Sequence, residues 1–152
     1  LALPGGAVYL REDLMRSRVG RSLASLAGPL GTLAMLILFA IALAVGSAFG
    51  GEGPLWPALA LLILFQAMAF VLNLLPVPGL DGWGVLRPFL PEGIRAAIRP
   101  IETFAIFALV AALLFVPAVA QIVFVPAYVL AGLAGVDAGQ LTAGYDAFRF
   151  WE

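Results

Sequence analysis

The chain has 152 residues, of which 63% are hydrophobic and only 11% are charged, and its mean hydropathy is +1.08. Soluble domains contain about 45–50% apolar and about 25% charged residues, so most of this surface must face lipid. The chain contains no His and no Cys, and all eight basic residues are Arg. This composition excludes a Ser-His-Asp triad, disulfides, thiol chemistry and lysine-based catalysis within these residues. A formal net charge of −1 argues against nucleic acid as a partner.

Three long uncharged runs predict an all-α fold made of multi-pass transmembrane helices. Each run exceeds the roughly 20 apolar residues that cross a bilayer core. The first two predict a helical hairpin formed by residues 23–49 and 55–75, with a Gly/Pro turn at 50–54. The lipid bilayer is therefore the first partner that the sequence predicts.

The third uncharged run predicts a long, proline-kinked helical segment over residues 103–134. Its length is too great for one straight crossing and too small for two crossings with a turn between them. Pro117 and Pro126 lie inside this run. We expect them to kink one long helix or to break it.

The distribution of arginine predicts the orientation in the membrane. Residues 1–21 and 81–102 carry seven of the eight arginines, whereas the 50–54 turn carries none. The positive-inside rule therefore places both Arg-bearing stretches in the cytoplasm. The chain divides into a cytoplasmic loop (1–21), a hairpin (22–80), a second cytoplasmic loop (81–102), a third membrane segment (103–134) and a tail (135–152). Within the first loop, residues 7–10 have β character and suit either an edge strand or a membrane-surface loop.

The segment with the clearest chemical content follows the second helix and reads Asn73-Leu-Leu-Pro-Val-Pro-Gly-Leu-Asp81-Gly82. Two prolines end the helix at membrane depth, where opened backbone is tolerated only against protein or a water-filled cavity. An amide precedes the break and a carboxylate follows it. An ionisable group at a broken helix end indicates a functional site, and the alternative is an ordinary interfacial carboxylate after a Pro/Gly helix end.

The pattern N-x-x-P-x-P-x-x-D-G resembles a motif of the site-2 proteases, which are intramembrane zinc metalloproteases. Two weaker stretches occur in the same order as in that family. Residues 26–32 (LAGPLGT) look like its A-G-P-x-x-N helix start, with Thr32 in place of the Asn, and residues 3–6 (LPGG) resemble a stretch that follows its catalytic helix. The resemblance covers roughly residues 1–100.

The resemblance implies a role for each residue of the motif. Asp81 would be a zinc ligand beside two histidines of an H-E-x-x-H helix, and zinc (Zn²⁺) would be the cofactor of the complete protein. Asn73 would donate a hydrogen bond to the substrate or the developing oxyanion, or else cap the broken helix. Because the chain has no His and begins with Leu, we expect it to start downstream of that helix and to be inactive alone.

The resemblance further implies a multi-pass protein of the cell membrane that hydrolyses peptide bonds of membrane-spanning substrates. Two other functions fit the same residues. One is a pseudo-protease that binds membrane segments without cutting them. The other is a transporter fragment in which the broken helix and Asp81 form an ion site.

Overall fold

A computed structural model describes residues 17–51 and 53–149 of the chain. These two ranges are almost entirely helical and contain no strand, which confirms the all-α prediction. The helices are α1 (Arg18–Ala48), α2 (Leu55–Asn73), α3 (Asp81–Leu86), α4 (Glu92–Ile98), α5 (Glu102–Phe115), α6 (Pro117–Leu133) and α7 (Ala138–Phe148), with a 3₁₀ turn over Arg87–Phe89. The predictions for residues 3–6 and 7–10 lie outside the described residues.

The first helix begins earlier than the sequence suggested. Ser17 is its N-cap, and the Ser17 hydroxyl accepts a hydrogen bond of 2.9 Å from the backbone N–H of Gly20. This cap satisfies a donor that the first turn otherwise leaves unpaired. The predicted start at residue 23 is therefore five residues late, and α1 continues through Pro29, whose side chain is buried inside the fold.

The two long helices form the predicted hairpin. Near the turn, the Trp56 ring packs directly on Gly46 and Gly51, where a Cβ would overlap its atoms. At the opposite end, the first turns of α1 contact residues that follow α2. The two helices therefore run antiparallel. α2 ends at Asn73, two residues before the predicted boundary, because Pro76 disfavours a helical conformation for the residue before it.

The third membrane segment is a broken helix. Val116 separates α5 from α6 and adopts an extended conformation, with φ −118° and ψ 97°. Pro117 then occupies the first position of α6, where its missing N–H costs nothing. Pro126 lies within α6, which continues on both sides of it. Of the two forms that the sequence allowed, the structure has the broken one.

The core forms around α2, which is apolar on all sides and contacts α1, α6 and α7. Its buried residues Ala60, Ile63, Leu64 and Ala67 meet Leu36 and Leu43 of α1 and Ala127 and Ala131 of α6. Small residues at these positions let the helix backbones approach closely. The predicted tail contributes as well, since Gly144 of α7 packs against the Pro57 carbonyl of α2.

Two described helices, α1 and α2, are long and apolar enough to cross a membrane. The number rises to four if each of two bent pairs counts as one span: α4 with α5, bent by 66°, and α6 with α7, bent by 113°. Within α5, all of which the structure describes, no residue is buried. Phe104, Phe107 and Leu114 are 68%, 69% and 74% exposed. Such an apolar exterior is the surface of a membrane protein.

Candidate functional site

The site forms where the chain turns sharply between α2 and α3. Leu74 and Leu75 continue the last turn of α2, and Asp81 is the first residue of α3. Gly79 adopts φ +97°, a conformation that a side chain would strain. The predicted break at the Pro-Val-Pro sequence is therefore present, and it places the carboxylate at the start of a new helix.

Gly82 keeps α3 in contact with the end of α2. A Cβ at this position would overlap the backbone carbonyl oxygens of Leu74 and Leu75. Because those atoms belong to the main chain, no side-chain rotation could relieve the overlap. The glycine after Asp81 is therefore required for the close approach of two backbones.

One face of α1 holds α3 in position. The Ser22 hydroxyl donates a hydrogen bond of 2.9 Å to the carbonyl oxygen of Val85. One turn further on, Ser25 packs against Gly84, where a Cβ would lie 2.9 Å from the Ser25 Cβ. These contacts place α3 alongside the first turns of α1.

The same face of α1 reaches the candidate ligand. A Cβ added to Gly28 would overlap Oδ2 of Asp81 and would lie 3.1 Å from its Cγ. The carboxylate thus lies against bare backbone of α1. The A-G-P stretch contributes a glycine that leaves space for the Asp81 side chain.

Asp81 faces a cleft of about 750 Å³ between α1, α3 and α5. The cleft is lined by Ser25, Gly79, Leu80, Asp81, Trp83, Gly84, Arg87, Glu102 and Thr103. Asp81 itself is partly buried, and this desolvation raises the pKa of its carboxyl group above the ordinary value. A cation bound beside the carboxylate would act in the opposite direction. Across the cleft, Glu102 Oε1 lies 3.9 Å from Nε of Arg87.

The other predicted site residue lies apart from this cleft. Asn73 is the last residue of α2 and is not among the residues that line the Asp81 cleft. Its side-chain amide makes no hydrogen bond to the described residues. Thr32, which takes the place of the family's Asn, donates its hydroxyl to the Gly28 carbonyl at 3.2 Å within its own helix.

Several residues of the cleft were not predicted from the sequence. Ser25, Glu102 and Thr103 come from α1 and α5, far from the motif in sequence. Trp83 also lines the cleft, and its buried Nε1 has no hydrogen-bond partner among the described residues. Only the contribution of α1 could have been predicted from the sequence, because small residues recur every three positions at 22, 25 and 28.

Asp81 can supply only part of a metal site. Zinc sites in enzymes use at least three protein ligands. The described residues contain no group of three His, Cys, Asp or Glu side chains that could hold a metal ion. The described residues therefore do not fit zinc by themselves; they offer two carboxylates at the cleft, Asp81 and Glu102, and Glu102 lies beside Arg87.

The fold and composition define an all-helical membrane protein, and comparison with known proteins narrows the class. Over 153 residues the chain is 37% identical to a protein of Mycolicibacterium smegmatis named "Putative zinc metalloprotease Rip2", a match that covers 99% of this chain and 57% of the relative. A Mycobacterium tuberculosis protein of that name is 40% identical over 154 residues, with the same coverage of 99% and 57%. The Bacillus subtilis "Putative zinc metalloprotease YwhC" is 28% identical over 100 residues, which make up 62% of this chain and 46% of the relative.

These matches confirm the resemblance to the site-2 protease family and extend it over almost the whole chain. The chain spans a little over half the length of the mycobacterial relatives. No family model matches the chain, and no solved structure matches it either.

Proposed function

We propose that this chain is the aspartate-bearing part of an intramembrane zinc metalloprotease, and that Asp81 is one of its zinc ligands. The complete protein would be a multi-pass protein of the cell membrane that hydrolyses peptide bonds of membrane-spanning substrates. The observation that carries the proposal is the placement of Asp81. Its carboxylate lies at a helix break, faces an open cleft, and belongs to a chain whose relatives are named zinc metalloproteases.

The residues around Asp81 suit a positioning role. Gly28 and Gly82 fix the carboxylate between the backbone of α1 and the end of α2. A ligand held on rigid elements in this way needs little rearrangement to bind its metal, and catalytic geometry tolerates errors of only about 0.5 Å.

The imidazole ligands must come from outside these 152 residues, because they contain no His. Zinc held by two imidazoles and one carboxylate would lower the pKa of a bound water toward 7 and polarise the scissile carbonyl. The isolated chain would hydrolyse nothing, since it supplies neither imidazole.

Asn73 lies at the end of α2, outside the lining of the Asp81 cleft, and we propose that its amide contacts the substrate or the oxyanion. Trp83 lines the cleft, and its buried Nε1 has no hydrogen-bond partner among the described residues. In other hydrolases, one well-placed hydrogen-bond donor lowers the activation free energy by about 2.7–4 kcal/mol.

Substitution of Asp81 in the complete protein tests the proposal. Asp81→Asn keeps the shape and removes the charge, and Asp81→Glu displaces the carboxylate by one methylene. Both should lower proteolysis of a membrane-spanning substrate by about 10²-fold or more, because misplacement by 1 Å is already that costly. Glu92→Gln is the matched control, since the Glu92 side chain is 81% exposed on α4. Full proteolysis by Asp81→Asn would refute the assignment.

The same variants separate the two other functions. A transporter site built from flexible oxygen ligands would keep partial function in Asp81→Glu. A pseudo-protease predicts no proteolysis in the unsubstituted protein while substrate binding persists.

A further inference from the structure

A second cleft lies beside the Asp81 cleft and differs from it in chemistry. It has a volume of about 420 Å³ and is lined by Arg87, Glu92, Arg95, Ala96 and Arg99. We refer to it as the arginine cleft. Arg87 borders both clefts, so the arginine cleft lies at the edge of the candidate active site.

The charges around the arginine cleft do not cancel. Glu92 forms an ion pair with Arg95, and Glu102 lies 3.9 Å from Arg87 on the side of the Asp81 cleft. The residues that line the arginine cleft include three arginines and one carboxylate, Glu92, so its lining is positively charged. In addition, the buried Nε of Arg95 has no hydrogen-bond partner among the described residues. Guanidinium groups pair well with phosphate oxygens, which accept two parallel hydrogen bonds.

The stretch of chain that carries the arginine cleft also exposes apolar side chains. The same stretch between α2 and α5 exposes Leu86, Phe89, Ile94 and Ile101, which are 47%, 54%, 45% and 58% accessible. The stretch follows one helix long enough to cross a membrane and precedes the apolar helix α5. Arginines beside exposed aliphatic and aromatic side chains match the boundary between lipid headgroups and acyl chains.

We propose that the arginine cleft binds the phosphate of an anionic phospholipid whose acyl chains lie on this apolar surface. The positively charged lining of the cleft favours the negative charge of a phosphodiester such as that of phosphatidylglycerol. A zwitterionic lipid brings its own cation, which the arginines would repel. This site is independent of Asp81, so it stands whether or not the protease assignment holds.

Lipid selectivity of the complete protein in phosphatidylcholine vesicles tests the proposal. Spin-labelled phosphatidylglycerol and spin-labelled phosphatidylcholine report the fraction of each lipid held at the protein surface. The unsubstituted protein should prefer phosphatidylglycerol, and each cleft arginine near the surface should contribute about fivefold. Arg95→Gln combined with Arg99→Gln should remove most of that preference.

Two further variants make the result interpretable. Arg99 is exposed, so Arg99→Gln alone keeps the fold and should lower the preference about fivefold even if the double variant does not fold. Arg149→Gln removes an arginine that lies over the Tyr145 ring on α7 and should leave the preference unchanged. An unchanged preference in Arg99→Gln, or an equal loss in Arg149→Gln, would overturn the proposal. Loss of the preference in millimolar inorganic phosphate would overturn it too, since a soluble phosphate would then be the ligand.

Discussion

The position of Asp81 depends on the absence of a side chain at Gly28. The carboxylate lies where a Cβ of residue 28 would be. A side-chain terminus can rotate away from a new methyl group, whereas a backbone cannot. A side chain at position 28 should therefore affect catalysis more than the free energy of unfolding.

Gly28→Ala should leave the protein folded and displace the Asp81 carboxylate. Because alanine favours helices over glycine by about 1 kcal/mol, the free energy of unfolding should change little or rise. Proteolysis by the complete protein should fall by roughly 10²-fold, the cost of a misplaced catalytic group. Gly31→Ala on the same helix meets no atom within 4 Å and should keep full activity. Equal activity of the two variants would show that the contact with Gly28 does not position Asp81.

At the scale of elements, the sequence predicted the hairpin and the break after α2, because charge-free runs and closely spaced prolines have direct physical consequences. It placed the start of α1 too late, at residue 23, since the charged residues 1–21 were assigned to a loop, whereas Ser17 provides the cap. The contribution of α5 to the Asp81 cleft could not be predicted. That contact depends on tertiary packing between segments that share no sequence pattern.

Gly82→Ala tests whether the packing between α2 and α3 is rigid. The added methyl group would overlap main-chain carbonyl oxygens of Leu74 and Leu75, so one of the two helices must move. Overpacking of this kind costs about 1–3 kcal/mol. Gly93→Ala, which meets no atom within 4 Å, should be neutral or slightly stabilising. Thermal unfolding in detergent measures both variants, and an unchanged Tm for Gly82→Ala would show that α3 does not pack on α2 as described.

At the scale of the whole molecule, composition and charge placement predicted the class of protein. Of the zinc site, the sequence could show only that imidazole ligands are missing from these residues. The missing His excludes an imidazole-bound zinc site formed by these residues alone. The fold adds that the Asp81 carboxylate lies at an open cleft. The orientation of the molecule in the membrane still rests on the arginine distribution.

Site-specific labelling tests that orientation. The chain contains no Cys, so Glu52→Cys and Glu92→Cys each introduce a single reactive thiol into these residues. A membrane-impermeant maleimide should label the two positions from opposite sides, with position 92 accessible from the cytoplasm. Labelling of both positions from the same side would contradict the hairpin topology.

The zinc content of the complete protein measures the central claim most directly. If Asp81 is a ligand, the purified and dialysed protein should hold about one zinc per chain, and Asp81→Asn should lose most of it, since zinc sites in enzymes need three protein ligands. Glu92→Gln should retain the metal, because its side chain is exposed on α4, away from the Asp81 cleft. Full zinc occupancy in Asp81→Asn would contradict the account.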